Sequence, residues 1–378
     1  MLNRSCSALA AVGMTAALFY GGAANAQFPV LRQTNLVTDD QSVNPAAITD
    51  PHAVNMWGIS FAGTSPFWVS DNGTGLATLY SVNPVTNATT KVGLEVTIPG
   101  DGTVTGQVNN TAGAGNFNGD NFLFVSEDGT ISGWRGALGT NAEVLQTGSS
   151  NNVYKGTAYA TVGTHSYLYA ANFRAGTIDV IKGDAGAPNL AGNFTDPGLP
   201  SGFAPFGIQR LGSTIYVTYA LQDATKHDDV AGAGNGFVSA FDVNGNFLGR
   251  VGSGGTLNSP WGLTIAPSTF GIYSGDLLVG NFGDGRINAF NPTTNAFIGQ
   301  INGLDSQPLT IEGLWALTPG NGAAAGSTGN LFFSAGPGDE SHGLFGVLQP
   351  VPEPGPALWC LAALVPAGVL VVRRRLRR

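Results

Sequence analysis

The feature that most constrains this fold is a unit of about fifty residues that recurs along the chain. Each unit opens with a residue before glycine and then an apolar strand. The openings are Trp57-Gly58-Ile59, Thr105-Gly106-Gln107, Lys155-Gly156-Thr157, Phe206-Gly207-Ile208 and Trp261-Gly262-Leu263. A sixth, Leu314-Trp315-Ala316, has Ala where the others have Gly, and the successive steps are 48, 50, 51, 55 and 54 residues. A second strand follows in each unit, as in Phe122–Ser126, and then a polar, Gly-rich turn such as Asp71-Asn72-Gly73-Thr74-Gly75. A third strand alternates, as in Arg286-Ile287-Asn288-Ala289-Phe290, and an Asn-Pro or Asn-Gly turn leads to a fourth. Four short antiparallel strands per unit make a β-propeller blade. The expected fold is therefore all-β, a six-bladed propeller. The strand-like segment Pro29–Thr38 precedes the first unit. It is expected to supply the outer strand of the last blade, closing the ring and hiding an edge. In the sixth unit, 343–348 supplies the third strand.

Composition agrees with this reading. Glycine is 56 of 378 residues and charged residues are 11%. Gly, Asn, Thr and Ser cluster between short apolar runs, as turns of an all-β protein do. No strict Gly-X-Y period is present, which excludes collagen. Both cysteines, Cys6 and Cys360, lie in the two end segments, so the span between them has no disulfide or thiolate metal site to hold it. Arg4 and five tail arginines hold 6 of the 16 basic residues, and Glu353 is 1 of the 24 acidic ones. The span 27–349 thus carries 10 basic and 23 acidic residues, a net −13. Such a surface argues against nucleic acid and anionic membranes as partners.

The ends read as targeting segments. Arg4, the apolar run from Ala8 to Tyr20 and Ala24-Asn25-Ala26 have the order of a signal peptide over residues 1–26, cleaved between Ala26 and Gln27. Such a leader implies passage through the Sec translocon. The propeller then spans 27–349, and 350–356 is a linker. An apolar run at 357–372 is about 24 Å long as a helix, marginal for a bilayer, and the basic residues of 373–378 form a cytoplasmic stop. Val351-Pro352-Glu353-Pro354, the apolar run and the arginines, in that order, resemble the PEP-CTERM sorting signal of Gram-negative bacteria. That resemblance implies recognition and cleavage by an exosortase, a transient stay in the inner membrane, and delivery to the cell surface or extracellular matrix. It says nothing of the ligand of the rest.

The blades resemble the NHL type through Pro260-Trp261-Gly262-Leu263 and Arg286-Ile287-Asn288-Ala289-Phe290. The whole span is similar to an uncharacterised family of exported bacterial propellers. The stretches that carry this include 126–134 (Ser-Glu-Asp-Gly-Thr-Ile-Ser-Gly-Trp), Lys226-His227-Asp228-Asp229-Val230 and Asp339-Glu340-Ser341-His342-Gly343. The family has no assigned activity, so the resemblance implies a fold and leaves function open.

In a propeller, the 2–3 turns and the connections into each strand 1 lie on one face around the central channel. His52, His227 and His342 map to that face, with Asp228, Asp229, Asp339 and Glu340 beside the latter two. His165 falls on the opposite face. Imidazole with carboxylates suits a divalent metal such as Ca or Zn, or acid–base work. The alternative is that these residues only fix their loops. Asp71, Glu127, Asn172 and Asp284 occupy the shorter inner turns and are secondary channel candidates, with the same alternative. Trp57, Phe206, Trp261 and Trp315 begin strand 1 in four blades, either as a floor for a carbohydrate or as packing between blades. No His-x-x-x-His or His-Glu-x-x-His occurs, so spacing does not favour a metal site, and the lack of Gly-x-Ser-x-Gly argues against an α/β-hydrolase.

Two function classes remain. The first is a non-catalytic binding module for an extracellular ligand, such as an exopolysaccharide or a surface protein. The second is a metal-dependent hydrolase or lactonase with its metal in the central channel, an analogy at the level of fold.

Overall fold

The computed structural model describes residues 29–113 and 115–351. Ala26, Gln27, Pro352, Glu353 and Pro354, with the expected leader and apolar tail, lie outside the described residues. Among the described residues no helix is long and apolar enough to cross a membrane.

Six sheets make the blades, five of them antiparallel and following one another in chain order, and the sixth completed by N-terminal strands. Blade 1 is Met56–Ser60, Phe67–Asp71, Leu76–Val82 and Thr89–Thr97. Blade 2 is Val104–Asn109, Phe122–Ser126, Ile131–Trp134 and Glu143–Gln146. Blade 4 is Phe203–Leu211, Thr214–Leu221, Gly236–Asp242 and Phe247–Ser253. Blade 5 is Pro260–Ile265, Leu277–Asn281, Ile287–Phe290 and Phe297–Gln300. Blade 3 departs from the expected four strands. It has only Tyr154–Val162, His165–Asn172 and Thr177–Lys182. The chain that would return as its fourth strand instead crosses to blade 4, where Phe194 donates its backbone N–H to Gly245 and packs on Tyr169 and Phe241.

Blade 6 closes the ring. Its own strands are Leu314–Pro319, Leu331–Ala335 and Leu344–Pro350, and the N-terminal Leu31–Thr38 pairs antiparallel with the last of these. A two-residue strand, Ile48–Thr49, then adds in parallel. The closing strand is legible as a strand-like segment that precedes the first repeat unit and belongs to none of them.

The repeated Xaa-Gly pair has a clear structural origin. Pairing between the first and second strands slips at this position in all six blades. The slip is a bulge, and it presses the inner strand against the next one around the channel. A Cβ on Gly58 would lie 2.7 Å from the Thr105 carbonyl oxygen, and one on Gly106 would lie 2.6 Å from Thr157 N. A Cβ on Gly207 would run into the Trp261 carbonyl. At the seam between blades 6 and 1, Ala316 N–H instead donates to Ser334 Oγ at 3.1 Å, and that hydroxyl in turn donates to the Trp57 carbonyl. The side chain spaces that seam.

The core lies between blades. One apolar cluster occupies each seam, such as Trp68, Val96 and Phe124 between blades 1 and 2, or Tyr169, Ile208 and Phe241 between blades 3 and 4. Leu31 enters the cluster between blades 5 and 6, while Leu36 and Val37 enter that between blades 6 and 1. The closing strand therefore ties two seams as well as one sheet.

Candidate functional site

A seventh cluster fills the channel itself. Trp57 stacks on Trp315 with ring centroids 3.4 Å apart, and Phe282 stacks on the same indole at 3.9 Å. Trp261 meets both tryptophans edge-on at about 6 Å, the T-shaped geometry that the ring quadrupole favours. Trp57, Phe173, Phe206 and Trp315 are buried and Trp261 is half-buried. Three of the four strand-opening aromatics are thus packing between blades, and only Trp261 offers surface.

Above this plug stands Lys155, which holds the ring position occupied by Trp57, Thr105, Phe206, Trp261 and Trp315 in the other blades. Its side chain is 3% exposed. The ammonium pairs with Glu127 from the blade 2 turn and lies 3.2 Å from Asp228 Oδ1 of the blade 4 loop. It also sits 5.4 Å from the Trp57 ring centroid, within cation–π reach. Burial opposes the charge, but the carboxylates, Glu127 foremost, hold the Lys155 pKa above its usual value.

The remaining groups extend from this pair. Asn72 donates to Glu127 Oε2 at 3.2 Å. Asn55, in a left-handed conformation with φ 47°, donates to Asn72 Oδ1 at 3.1 Å and to Glu340 Oε2 at 2.6 Å. Its own oxygen accepts the Trp315 indole N–H at 3.1 Å, which joins the polar layer to the plug. Burial raises the Glu340 carboxyl above its usual range, and the nearby charges of Glu127 and Asp228 add to this. Asp229 is also raised, chiefly by burial, and its Oδ2 has no hydrogen-bond partner. Asp228 moves the other way. Burial works against it, but the Lys155 charge and His227, 2.8 Å away, hold its carboxyl below the usual range. Around one ammonium, Asp228 is thus held below its usual range while Asp229 and Glu340 are raised above theirs.

The structure gathers Glu127, His227, Asp228, Asp229 and Glu340 here, but it does not bring the three histidines together. His52 Nδ1 bonds Glu95 at 2.9 Å in blade 1, and His342 Nδ1 bonds Asp39 at 2.8 Å in the closing segment. Asp339 is exposed at φ 55°, at the tip of its loop. Asn172 and Asp284 fix their turns. Asn172 Oδ1 accepts the N–H of Val153 and Ala175, and Asp284 Oδ1 accepts from Asn281 and from Arg286 N. Asp71 is fully buried, and burial pushes its carboxyl far above the usual range.

Among the described residues, two groups have metal-like ligand sets with atoms within 4.8 Å of one another: Glu127, His227 and Asp228, and Asp50, His52 and Glu95. Each is bridged by a lysine. Lys155 serves the first, and Lys91 the second, 2.7 Å from Asp50 Oδ1 and paired with Glu95. Tyr80 donates to the other Asp50 oxygen at 2.7 Å. The residue types and spacing suit a divalent ion, but an ammonium already occupies the place between the carboxylates in both. Sequence reading missed Lys155. The available signal was that it is the only cation at the position before the repeat glycine.

No family model matches the chain. Two solved structures share the fold at 11% identity. One is an α-L-arabinanase of Penicillium chrysogenum complexed with arabinobiose, with a TM-score of 0.51 over 79% of this chain and 94% of that one. The other is an α-L-arabinofuranosidase of Fusarium graminearum with an iminosugar inhibitor, with a TM-score of 0.52 over 85% and 98%. At that identity they speak for the propeller alone. Among curated proteins, uncharacterized protein R648 of Acanthamoeba polyphaga mimivirus is 31% identical over 297 residues, 73% of this chain and 71% of its own length. Uncharacterized protein L690 of the same virus is 29% identical over 325 residues, 80% and 82% of the two chains. These relatives correct the expectation of an exported bacterial family marked by a PEP-CTERM tail, and the NHL assignment finds no support beside them. With 31% identity across more than two thirds of both chains, this protein belongs to the family of mimivirus protein R648.

Proposed function

We propose that the protein is a non-catalytic binding module whose channel face takes a hydroxyl-rich ligand, a polysaccharide before a protein. The observation that carries this is Lys155 standing between Glu127 and Asp228. A divalent cation there would have to displace a buried, charge-compensated ammonium. What is left for a ligand is a surplus of acceptors, Asp229 and Glu340 above all, with the amides of Asn55 and Asn72. Carboxylates and amides accept and donate to sugar hydroxyls.

The runner-up is the metal-dependent hydrolase or lactonase, which rests on Glu127, His227 and Asp228 as a Zn or Ca site. One preparation separates the two. The purified protein is run through gels containing soluble polysaccharides, and its metal content is measured before and after chelation. Retardation that is weakened in Asp229→Asn and Glu340→Gln supports the binding reading. Near-stoichiometric Zn or Ca that disappears in His227→Ala overturns it. Export through a cleaved leader is a separate proposal, resting on residues 1–26, and N-terminal sequencing of the secreted product for a start at Gln27 tests it.

A further inference from the structure

The channel has a second mouth on the opposite face, and its chemistry is unlike that of the first. The lower ends of the inner strands enclose a cavity of about 240 Å³. Ser60, Gln107, Asn109, Tyr159, Gln209 and Arg210 are among its walls, and none of its lining residues is acidic. A narrower continuation of about 30 Å³ runs up between Gly106, Thr157 and Ala316 to the Trp261 ring. The aromatic plug lies between the two mouths.

The polar groups of this cavity divide into two kinds. Gln107 is committed, since it donates to the Gly58 carbonyl at 2.8 Å and accepts from Ser60 Oγ at 3.2 Å. Gln209 and Arg210 are not. Arg210 Nε donates to the Gly212 carbonyl at 3.0 Å, which anchors the guanidinium while leaving its two Nη groups free. Among the described residues, Arg210 forms no ion pair and the Gln209 amide has no hydrogen-bond partner. Arg210 thus reaches the cavity wall with no Asp or Glu among the residues that line it.

We propose that this lower mouth binds a small hydroxylated carboxylate of monosaccharide size. The Arg210 fork matches a carboxylate with two parallel N–H···O bonds. Gln209, Asn109 and Ser60 supply donors and acceptors for ring hydroxyls, and Ile59, Phe61 and Tyr159 supply apolar wall. The site is independent of the channel-face ligand, because it uses no residue in common with it.

The probe is D-glucuronate, with D-glucose as its uncharged counterpart, titrated calorimetrically into the full-length protein. The expected result is saturable binding of glucuronate, weaker for glucose by about tenfold or more. Arg210→Ala should lose the same factor, and Arg210→Lys should keep the charge but lose the fork, binding in between. Arg210 is exposed, so neither change threatens the fold. Absence of saturable glucuronate binding to the wild type overturns the proposal. So does equal binding of glucose, equal binding by Arg210→Ala, or a loss that follows Glu340→Gln rather than Arg210→Ala.

Discussion

At the scale of the residue, Lys155 decides what the channel face can be. An ammonium that is 3% exposed must be matched by charge, and Glu127, 11% exposed, depends on it in turn. Lys155→Met should therefore cost about 3 kcal/mol or more, because it strands a carboxylate in a place built for a pair. Adding Glu127→Leu should recover much of that loss, and urea unfolding midpoints of the two variants check both. Asp120 offers a pH test. Burial raises its carboxyl from 3.8 to about 6, more than Arg135 lowers it. A raised carboxyl holds its proton longer in the folded state than in the unfolded one, so stability falls as pH rises between about 4 and 6. Asp120→Asn should remove that slope, and unfolding curves collected across this window would show it or refute it.

At the scale of the element, the inner strand is set by its bulge. A Cβ on Gly207 would meet the Trp261 carbonyl, a backbone atom that cannot move without shifting the next blade. Gly207→Ala should thus destabilise by about 1–3 kcal/mol, the range for overpacking. Gly93, in the outer strand of blade 1, faces open space, so Gly93→Ala should be neutral or slightly stabilising. Paired melting temperatures of the two variants give the comparison, and equal values would mean that the inner strands do not touch as described. The same strands show where sequence pattern stops being informative. Blade 3 is legible from its place in the repeat, its Lys155-Gly156-Thr157 opening and its Tyr167–Ala171 strand, but its missing fourth strand is not. Residues 183–202 carry turn formers and apolar residues like any other return segment. Their path to blade 4 depends on Phe194 finding Tyr169 and Phe241, which only the assembled ring brings within reach.

At the scale of the whole molecule, the ring is held shut by one strand pair and the seams beside it. Arg32 and Gln349 are register partners across the closure. Because the described residues contain no cysteine, Arg32→Cys with Gln349→Cys would place a single new link there. It should stabilise by about 2–4 kcal/mol, with the gain lost on reduction. Melting with and without reductant tests this, and an unchanged midpoint would mean that opening at this pair does not limit unfolding.

The sequence alone determined the number of blades, the place of each inner glycine, and the strand that closes the ring. These are periodic features, and period is what a linear chain can display. It also marked Glu127, His227, Asp228 and Glu340, because charged residues in Gly-rich turns stand out from an uncharged background. Tertiary structure decided which of them meet. His52 and His342 looked equivalent to His227 from position alone, yet each is drawn to a carboxylate of its own neighbourhood, Glu95 and Asp39. The carboxylates of blades 2 and 4 converge on a lysine of blade 3, residues separated by 28 and 73 positions along the chain. Whether such a group is a metal site or a lysine-filled one depends on a few ångströms between three blades, a distance that no local spacing encodes.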